Sequence, residues 1–304
     1  MAPPPASGLD LTAPLRAAYD RTRRLLFPFD FSRWITLGFS AWIASLGEGG
    51  ASMPNVPDTS GRRGGGSSQI VDFVRDNLAL IVTVGVVVLV VGVGIGVLLL
   101  WVSSRGKFVF LDNVVHERAL VEEPWRRFSE HGSALFRVRL ALSMISLALV
   151  LSAVGLFLWL AWPDLAAGIV GSRLMIGAGV GVGILLLDLP LAVLAALLED
   201  FVVPTMYLDG PDWRAAASRV RAALSGQVAT LIAFYLLRIA VAVASGVVAM
   251  LATCLTCCIA GLPFIGTVLL LPVIVFGRAY VWCFYEQLGP DFRLFPLGEH
   301  ELPG

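Results

Sequence analysis

Long apolar runs separated by short charged stretches are the main pattern along the chain. Residues 78–102 and 140–162 contain no charged side chain, and residues 174–198 contain a single one, Asp188. About 20 apolar residues are enough to cross the ~30 Å hydrocarbon layer of a bilayer. Each of these three runs therefore predicts a transmembrane helix.

A fourth apolar run, residues 228–277, is too long for one crossing and contains only one charge, Arg238. It has to fold back on itself, and Gly261-Leu262-Pro263 is the natural turn because glycine and proline interrupt a helix. The run therefore predicts two further membrane helices that meet near this turn.

The distribution of basic residues decides whether a sixth span exists. The run from Trp34 to Gly47 is short for a full crossing. If it spans, 17 of the 22 Lys and Arg residues lie on the side of both termini and four on the other side; if it does not, the split is 12 to 9. Basic residues favour the cytoplasmic side. We therefore predict cytoplasmic termini and six spans, at about 34–47, 78–102, 138–162, 174–198, 228–256 and 263–285.

Composition supports the same class of protein. Of the 304 residues, 57% are hydrophobic and 14% are charged, whereas a soluble domain has ~25% charged residues. The net charge is zero, so no overall field attracts nucleic acid and we expect no nucleic-acid partner.

Lys107 is the only lysine among the basic residues. This arginine bias indicates a bacterial source and hence the cytoplasmic (inner) membrane. Residues 1–8 lack the features of a cleaved signal peptide, so we expect the first span to be retained.

A five-residue motif, Gly-Pro-Asp-aromatic-Arg, occurs after the fourth and after the sixth predicted span. Its members are Gly210, Pro211, Asp212, Trp213 and Arg214 in the first copy, and Gly289, Pro290, Asp291, Phe292 and Arg293 in the second. A recurring motif at equivalent positions indicates an internal repeat.

An arginine-flanked amphipathic segment precedes each hairpin, within residues 11–27, 124–136 and 212–224. In the first segment the apolar positions at helical spacing are Leu11, Leu15, Tyr19, Thr22 and Leu26. Such helices lie in the headgroup plane of a bilayer; the alternative is that they are ordinary cytoplasmic loop helices.

These patterns predict an all-α membrane protein of three tandem units, each an interfacial amphipathic helix followed by a hairpin of two transmembrane helices. The units are residues 11–107, 108–208 and 209–304, the last with a short C-terminal tail. Residues 1–10 are predicted to be disordered. Residues 48–76, which contain Gly64-Gly65-Gly66-Ser67-Ser68, are predicted to be a flexible outer loop.

Two short stretches carry a resemblance to known families. They are Phe27-Pro28-Phe29-Asp30-Phe31 with Arg33-Trp34, and Phe284-Tyr285-Glu286-Gln287-Leu288-Gly289-Pro290. With the repeat pattern, they resemble a broad group of uncharacterised polytopic bacterial membrane proteins and the membrane domain that accompanies some glycerophosphodiester phosphodiesterases. The resemblance covers most of the chain. It implies the membrane fold but no phosphodiesterase activity, because the soluble hydrolase portion has no counterpart in these residues.

Asp188 and Arg238 are the charges that stand inside predicted spans. Each lies 11 residues from a predicted cytoplasmic span end, Glu199 and Gln227 respectively, which is about 16 Å. Opposite charges at equal depth on consecutive antiparallel helices are expected to pair, since either alone is unfavourable in hydrocarbon. The pair is then either a proton or ion site, with Pro190 loosening the helix beside it, or a structural ion pair that fixes helix register.

Arg278 and Glu286 complete the candidate intramembrane polar site, because a spacing of eight residues places them on one helix face. Cys254, Cys257 and Cys258 are interpreted as small apolar residues, with a local disulfide as the alternative. No catalytic set and no metal-ligand cluster occurs in the sequence, so we expect no enzyme activity, no cofactor and no metal.

Two hypotheses of function follow. The first is a non-enzymatic membrane scaffold or a subunit of a larger membrane complex, with other membrane proteins or further copies of the chain as partners. The alternative is a transporter or channel for a small solute or ion that uses the Asp188 and Arg238 charges.

Overall fold

The computed structural model describes residues 12–27, 29–46, 77–167, 171–256 and 263–295. Within these residues the chain is helical and contains no strand, as predicted. The α-helices are α1 (Ala13–Leu26), α2 (Phe31–Ser45), α3 (Leu78–Val115), α4 (Glu122–Arg127), α5 (Ser129–Ala166), α6 (Ser172–Leu186), α7 (Leu189–Leu197), α8 (Val203–Asp209), α9 (Trp213–Leu224), α10 (Val228–Leu255), α11 (Pro263–Leu269) and α12 (Leu271–Tyr285). A π-helical turn, Leu198–Val202, joins α7 to α8, and 3₁₀ turns follow α12 at Glu286–Leu288 and Pro290–Phe292.

Several predicted features lie outside the described residues. They are the disordered residues 1–10, the outer loop 48–76, the turn at Gly261 and Leu262, the cysteines Cys257 and Cys258, and the last part of the C-terminal tail.

Four helical segments are long and apolar enough to cross a membrane: Val82–Val115, Ser129–Asp164, Ser172–Asp209 and Val228–Leu255. Their lengths of 28 to 38 residues exceed the ~20 residues that one crossing needs. Each segment overlaps one of the predicted spans, so these helices indicate a multi-pass membrane protein.

The other two predicted spans have a different form. Helix α2 has 15 residues, a length of about 22 Å, which is less than the hydrocarbon thickness. The predicted helix 263–285 is divided at Leu270 into α11 with seven residues and α12 with 15. Pro272 lies at the start of α12, where its missing N–H is tolerated. The described helices thus support four long spans rather than six equivalent ones.

The chain divides into two compact units that are interleaved along the sequence. One contains Met1–Ala51, Trp101–Phe136 and Leu197–Gly304, and the other contains Ser52–Leu100 and Arg137–Ala196. We call them the first and the second unit. The division into three tandem hairpin units stays a prediction.

Helix α12 lies at the centre of the first unit and contacts α1, α2, α10 and α11. Its aromatic side chains pack with those of neighbouring helices. The ring of Phe234 stacks on Phe284, with centroids 4.1 Å apart, and on Tyr280 at 5.6 Å. All three side chains are fully buried. This aromatic cluster gives the first unit a large, directional apolar core.

Helix α1 packs against α12 through a buried stripe that includes Pro14, Ala18, Thr22 and Leu25. The stripe differs from the predicted face, because Tyr19 is 61% exposed. The apolar side of α1 is therefore covered by protein, and its polar side remains open.

In the second unit, the ends of α5 and α6 are joined by Asp164. The Asp164 carboxylate is buried and accepts a hydrogen bond from the backbone N–H of Leu174 at 2.9 Å. It thereby satisfies a free donor in the first turn of α6. Gly177 lies against α5, where an added Cβ would be 3.3 Å from the Leu160 Cβ. Small residues at this crossing let the two backbones approach closely.

Candidate functional site

The π-helical turn Leu198–Val202 lies inside the Ser172–Asp209 segment. It contains one residue more than an α-helical turn. The N–H of Val203 donates to the carbonyl of Leu198, five residues earlier. Pro204 follows and has no N–H to donate, while the Thr205 hydroxyl donates to the Phe201 carbonyl at 2.8 Å. Single π-turns within α-helices are frequent at functional sites. This one contains the adjacent carboxylates Glu199 and Asp200.

Asp200 is 1% exposed and is bound by two side chains of α10. The Tyr235 hydroxyl donates to its Oδ2 at 3.1 Å, and the Arg238 guanidinium donates to the same oxygen. Its other oxygen, Oδ1, is buried and has no hydrogen-bond partner among the described residues. The Asp200 carboxylate thus forms an ion pair that connects the π-helical turn with α10.

The sequence predicts Asp188 as the partner of Arg238, whereas Asp200 is the carboxylate that binds it within the first unit. The prediction counted depth from Glu199 as the cytoplasmic end of the span, but the helical segment continues for ten residues to Asp209. Asp200 is nine residues from that end and Arg238 is ten residues from the start of α10. The two charges are therefore at matching distances of about 14–15 Å from their helix ends.

Asp188 has a different partner, within the second unit. Its Oδ2 accepts a hydrogen bond from the Ser146 hydroxyl of α5 at 3.1 Å, and its Oδ1 is buried with no partner among the described residues. Asp188 lies where α6 ends and α7 begins, two residues before Pro190. Proline removes a helical hydrogen bond, which agrees with the predicted loosening of this helix.

Glu199 is paired with the only lysine of the chain. The Lys107 Nζ lies 2.9 Å from the Glu199 Oε2, and the two side chains are 7% and 17% exposed. The π-helical turn therefore presents two consecutive carboxylates to cations from two different helices, α3 and α10. Loss of one partner from a buried ion pair of this kind leaves an uncompensated charge and is strongly destabilising.

A second cluster of polar side chains surrounds the Asp112 carboxylate near the end of α3. The Arg118 Nη2 donates to its Oδ2 at 2.7 Å, and the Tyr207 hydroxyl of α8 donates to its Oδ1 at 3.0 Å. The His116 Nδ1 lies 3.3 Å from the same Oδ1. The hydrogen bond from Arg118 to Asp112 raises the pKa of Arg118. Asp112 is fully buried, so the cluster fixes the end of α3 against α8.

The two copies of the repeated motif share a backbone conformation. Gly210 and Gly289 have φ values of +117° and +151°, which favour glycine, and each precedes a proline. In the first copy the Asp212 side chain accepts from the N–H of Arg214 at 2.9 Å and caps α9.

Arg219 of α9 connects the two copies. Its guanidinium donates to the Asp209 carboxylate, next to the first copy, and to the backbone carbonyl of Asp291 in the second copy at 3.0 Å. It also lies 5.0 Å from the ring centroid of Phe292. The hydrogen bond to Asp209 raises the pKa of Arg219. Arg219 therefore connects α9 with the Pro290–Phe292 turn that follows α12.

Glu286 folds the residues after α12 back onto the first unit. Its Oε1 accepts hydrogen bonds from the N–H groups of Leu294 and Phe295, at 2.9 and 2.8 Å. Burial raises the pKa of Glu286, opposed by these two hydrogen bonds and by the charges of Arg21 and Arg293. Arg278, the other member of the predicted pair, is half-buried on α12.

The described residues contain no group of three or more His, Cys, Asp or Glu side chains that is placed to hold a metal ion. Cys254 and Cys283 are free thiols, the first exposed and the second buried.

The family model of a family of unknown function, DUF7544, matches residues 10–288. The chain belongs to the DUF7544 family. Neither a curated protein nor a solved structure matches it. These comparisons do not link the DUF7544 chain to the membrane domain that accompanies glycerophosphodiester phosphodiesterases.

The sequence interpretation of this DUF7544 protein missed Asp200, Glu199 and Lys107 as site residues. The sequence prediction places Glu199 at the end of a span and Lys107 in the loop at residues 103–139, and it does not consider Asp200. One signal was available in the residues that follow: the apolar run from Phe201 to Leu208 continues the helix, so the acidic pair lies inside a helix and not at its end.

Proposed function

We propose that the protein crosses the inner membrane six times, with both termini in the cytoplasm. The four long helices and the one-sided distribution of basic residues support this topology. In this six-span topology, α2 crosses the membrane together with α11. The two helices pack against each other: the Trp42 ring lies 6.0 Å from the Phe264 ring, and Gly38 is close to Val268. Fusions of a cytoplasm-active reporter to each terminus test where the termini lie, and an inactive fusion at either terminus contradicts the topology. Labelling of a single cysteine at position 62 by a membrane-impermeant thiol reagent tests the crossing by α2, and a residue 62 that is not labelled from outside contradicts six spans.

We propose that the protein is a membrane scaffold or a subunit of a larger membrane complex and not an enzyme. The internal pairing of the buried charges supports this role. Lys107–Glu199, Arg238–Asp200 and Arg118–Asp112 each connect structural elements of the first unit, as expected of charges that fix geometry.

Helix α3 supplies a surface for a partner helix in this proposal. Many of its larger apolar side chains are exposed between Val82 and Leu98, for example Val88 at 64% and Val90 at 65%. Single cysteines at Val88 and Val90 in native membranes test the role by cross-linking. We expect discrete cross-linked species from one or both positions. The absence of any cross-linked species at both positions contradicts a scaffold role for this surface.

One observation favours transport as a second candidate. Asp188 lies at a helix interruption and has a buried carboxylate oxygen without a partner among the described residues. Interrupted helices with acidic residues near the bilayer midplane bind coupling ions in transporters. Proton flux into proteoliposomes, followed with a trapped pH-sensitive dye, tests this candidate. Flux that Asp188→Asn abolishes supports transport. Equal flux in the wild-type protein and in the variant, or in the wild-type protein and in empty liposomes, contradicts it.

A further inference from the structure

The polar side of α1 carries arginines that form no ion pair with the described residues. Arg16, Arg23 and Arg24 are all exposed, and Asp20 is the one acidic residue of the helix. The opposite side of α1 is buried against α12, so the helix cannot rotate to bury these charges. The basic side is therefore fixed in its orientation.

Exposed aromatic side chains continue this basic side into the turn between α1 and α2. Phe27, Phe29 and Phe31 are 57%, 60% and 67% exposed. Large aromatic residues are seldom left open in water by a packed unit, and a contiguous exposed group of them marks a contact surface.

Specific bonds connect the end of α1 with the start of α2. The Trp34 indole N–H donates to the Leu26 carbonyl at 3.2 Å, and its ring lies 5.0 Å from the ring of Phe29. The Asp30 carboxylate accepts from the N–H of Ser32 at 2.9 Å and caps α2. These bonds hold residues next to Phe27, Phe29 and Phe31 in place.

We propose that Arg16, Arg23 and Arg24 with Phe27, Phe29 and Phe31 form a binding surface for the headgroups of anionic phospholipids. The arginines match the lipid phosphates, to which guanidinium groups bind well. The adjacent phenylalanines match the boundary between headgroups and acyl chains. A soluble phosphate compound would satisfy the arginines but would leave the phenylalanines uncovered, which favours the lipid as the ligand. The proposal deepens the proposed topology, on which it rests, by naming the lipid class at the cytoplasmic surface.

The test is the lipid composition around the full-length protein. The protein is reconstituted in vesicles of phosphatidylcholine with about one third phosphatidylglycerol, extracted with its surrounding lipid by a styrene–maleic acid copolymer, and the lipids are quantified. We expect phosphatidylglycerol to be enriched over the bulk vesicle. Each arginine removed is expected to lower the apparent affinity about fivefold, so Arg23→Gln/Arg24→Gln abolishes most of the enrichment.

A matched control is the double variant Arg126→Gln/Arg127→Gln, which removes two adjacent arginines from the last turn of α4, where Glu122 and Glu123 accompany them. It is expected to keep the enrichment, and so is Arg23→Lys/Arg24→Lys. Equal loss in the control, or wild-type enrichment in Arg23→Gln/Arg24→Gln, overturns the proposal. Full competition by inorganic phosphate at constant ionic strength overturns it as well and assigns the surface to free phosphate.

A photo-crosslinking amino acid at position 29 separates this proposal from the proposed topology. A lipid adduct enriched in phosphatidylglycerol supports both. A lipid adduct with no headgroup preference refutes the anionic-lipid surface alone. If position 29 gives no lipid adduct, α1 does not lie at the membrane; the surface and the predicted location of residues 11–27 in the headgroup plane are then both wrong, while the six-span topology is unaffected.

Discussion

The guanidinium of Arg238 on α10 donates to the carboxylate of Asp200, a side chain that the π-helical turn buries in the first unit. The pair is asymmetric, because Arg238 is 31% exposed while the Asp200 side chain has no exposed surface. The loss of the Arg238 charge and the loss of the Asp200 charge are therefore expected to lower the stability by different amounts.

Replacement of Arg238 by Gln leaves the Asp200 carboxylate buried without its cation. We expect this variant to lose about 2–3 kcal/mol of stability, at the low end for buried pairs because Arg238 is partly exposed. Asp200→Asn is expected to lose less, and the double variant to recover part of the loss. Thermal unfolding in detergent measures all three. Arg126→Gln, which removes an exposed ion pair with Glu122, serves as the control with little change. Equal losses in Asp200→Asn and Arg238→Gln contradict the asymmetry.

Gly106→Ala tests the close approach of α3 to α2. An added Cβ would lie 2.4 Å from the Ile43 Cγ2 and 2.9 Å from the Ala44 backbone nitrogen, so one of the helices has to move. We expect a loss of about 1–3 kcal/mol from overpacking. Gly94→Ala, on the same helix with nothing within 4 Å of the new Cβ, is the matched control. Melting curves that shift equally for the two variants refute the prediction.

The repeated motif predicts that both of its glycines resist substitution. At Gly210 no atom lies within 4 Å of an added Cβ, so the effect of alanine comes from the backbone conformation alone. We expect Gly210→Ala and Gly289→Ala each to destabilise by about 1–3 kcal/mol. Gly179→Ala, at a helical position with equal free space, is expected to be neutral. A neutral result for Gly210→Ala contradicts the prediction, because it shows that the backbone of this turn adopts another conformation without loss of stability.

Glu286 predicts a pH dependence of stability. Its pKa in the folded protein is raised above the ordinary value of 4.5, chiefly by burial. The folded state therefore holds its proton to a higher pH than the unfolded state does, and stability falls as the pH rises from about 4.5 through the raised pKa. We expect Glu286→Gln, which keeps an acceptor for Leu294 and Phe295, to lack this decrease. Unfolding midpoints measured from pH 4 to 8 compare the two proteins, and parallel pH profiles contradict the assignment.

Many features of this protein follow from its sequence alone. The apolar runs specify long helices and a membrane protein, because hydrophobic length is a local property. The interruption beside Pro190 and the equivalence of Gly210 and Gly289 are also local, since proline and glycine act on their own backbone.

Only the tertiary structure decided which charges meet. Arg238 pairs with Asp200, a residue that the sequence prediction does not consider, because partner choice depends on where the packed helix ends, and the segment runs to Asp209, beyond the predicted end of the span. The side of α1 that is covered was likewise fixed by α12, a helix distant in sequence. Periodicity indicates that a helix has an apolar face, but the partner that covers that face is set by packing over long sequence separation.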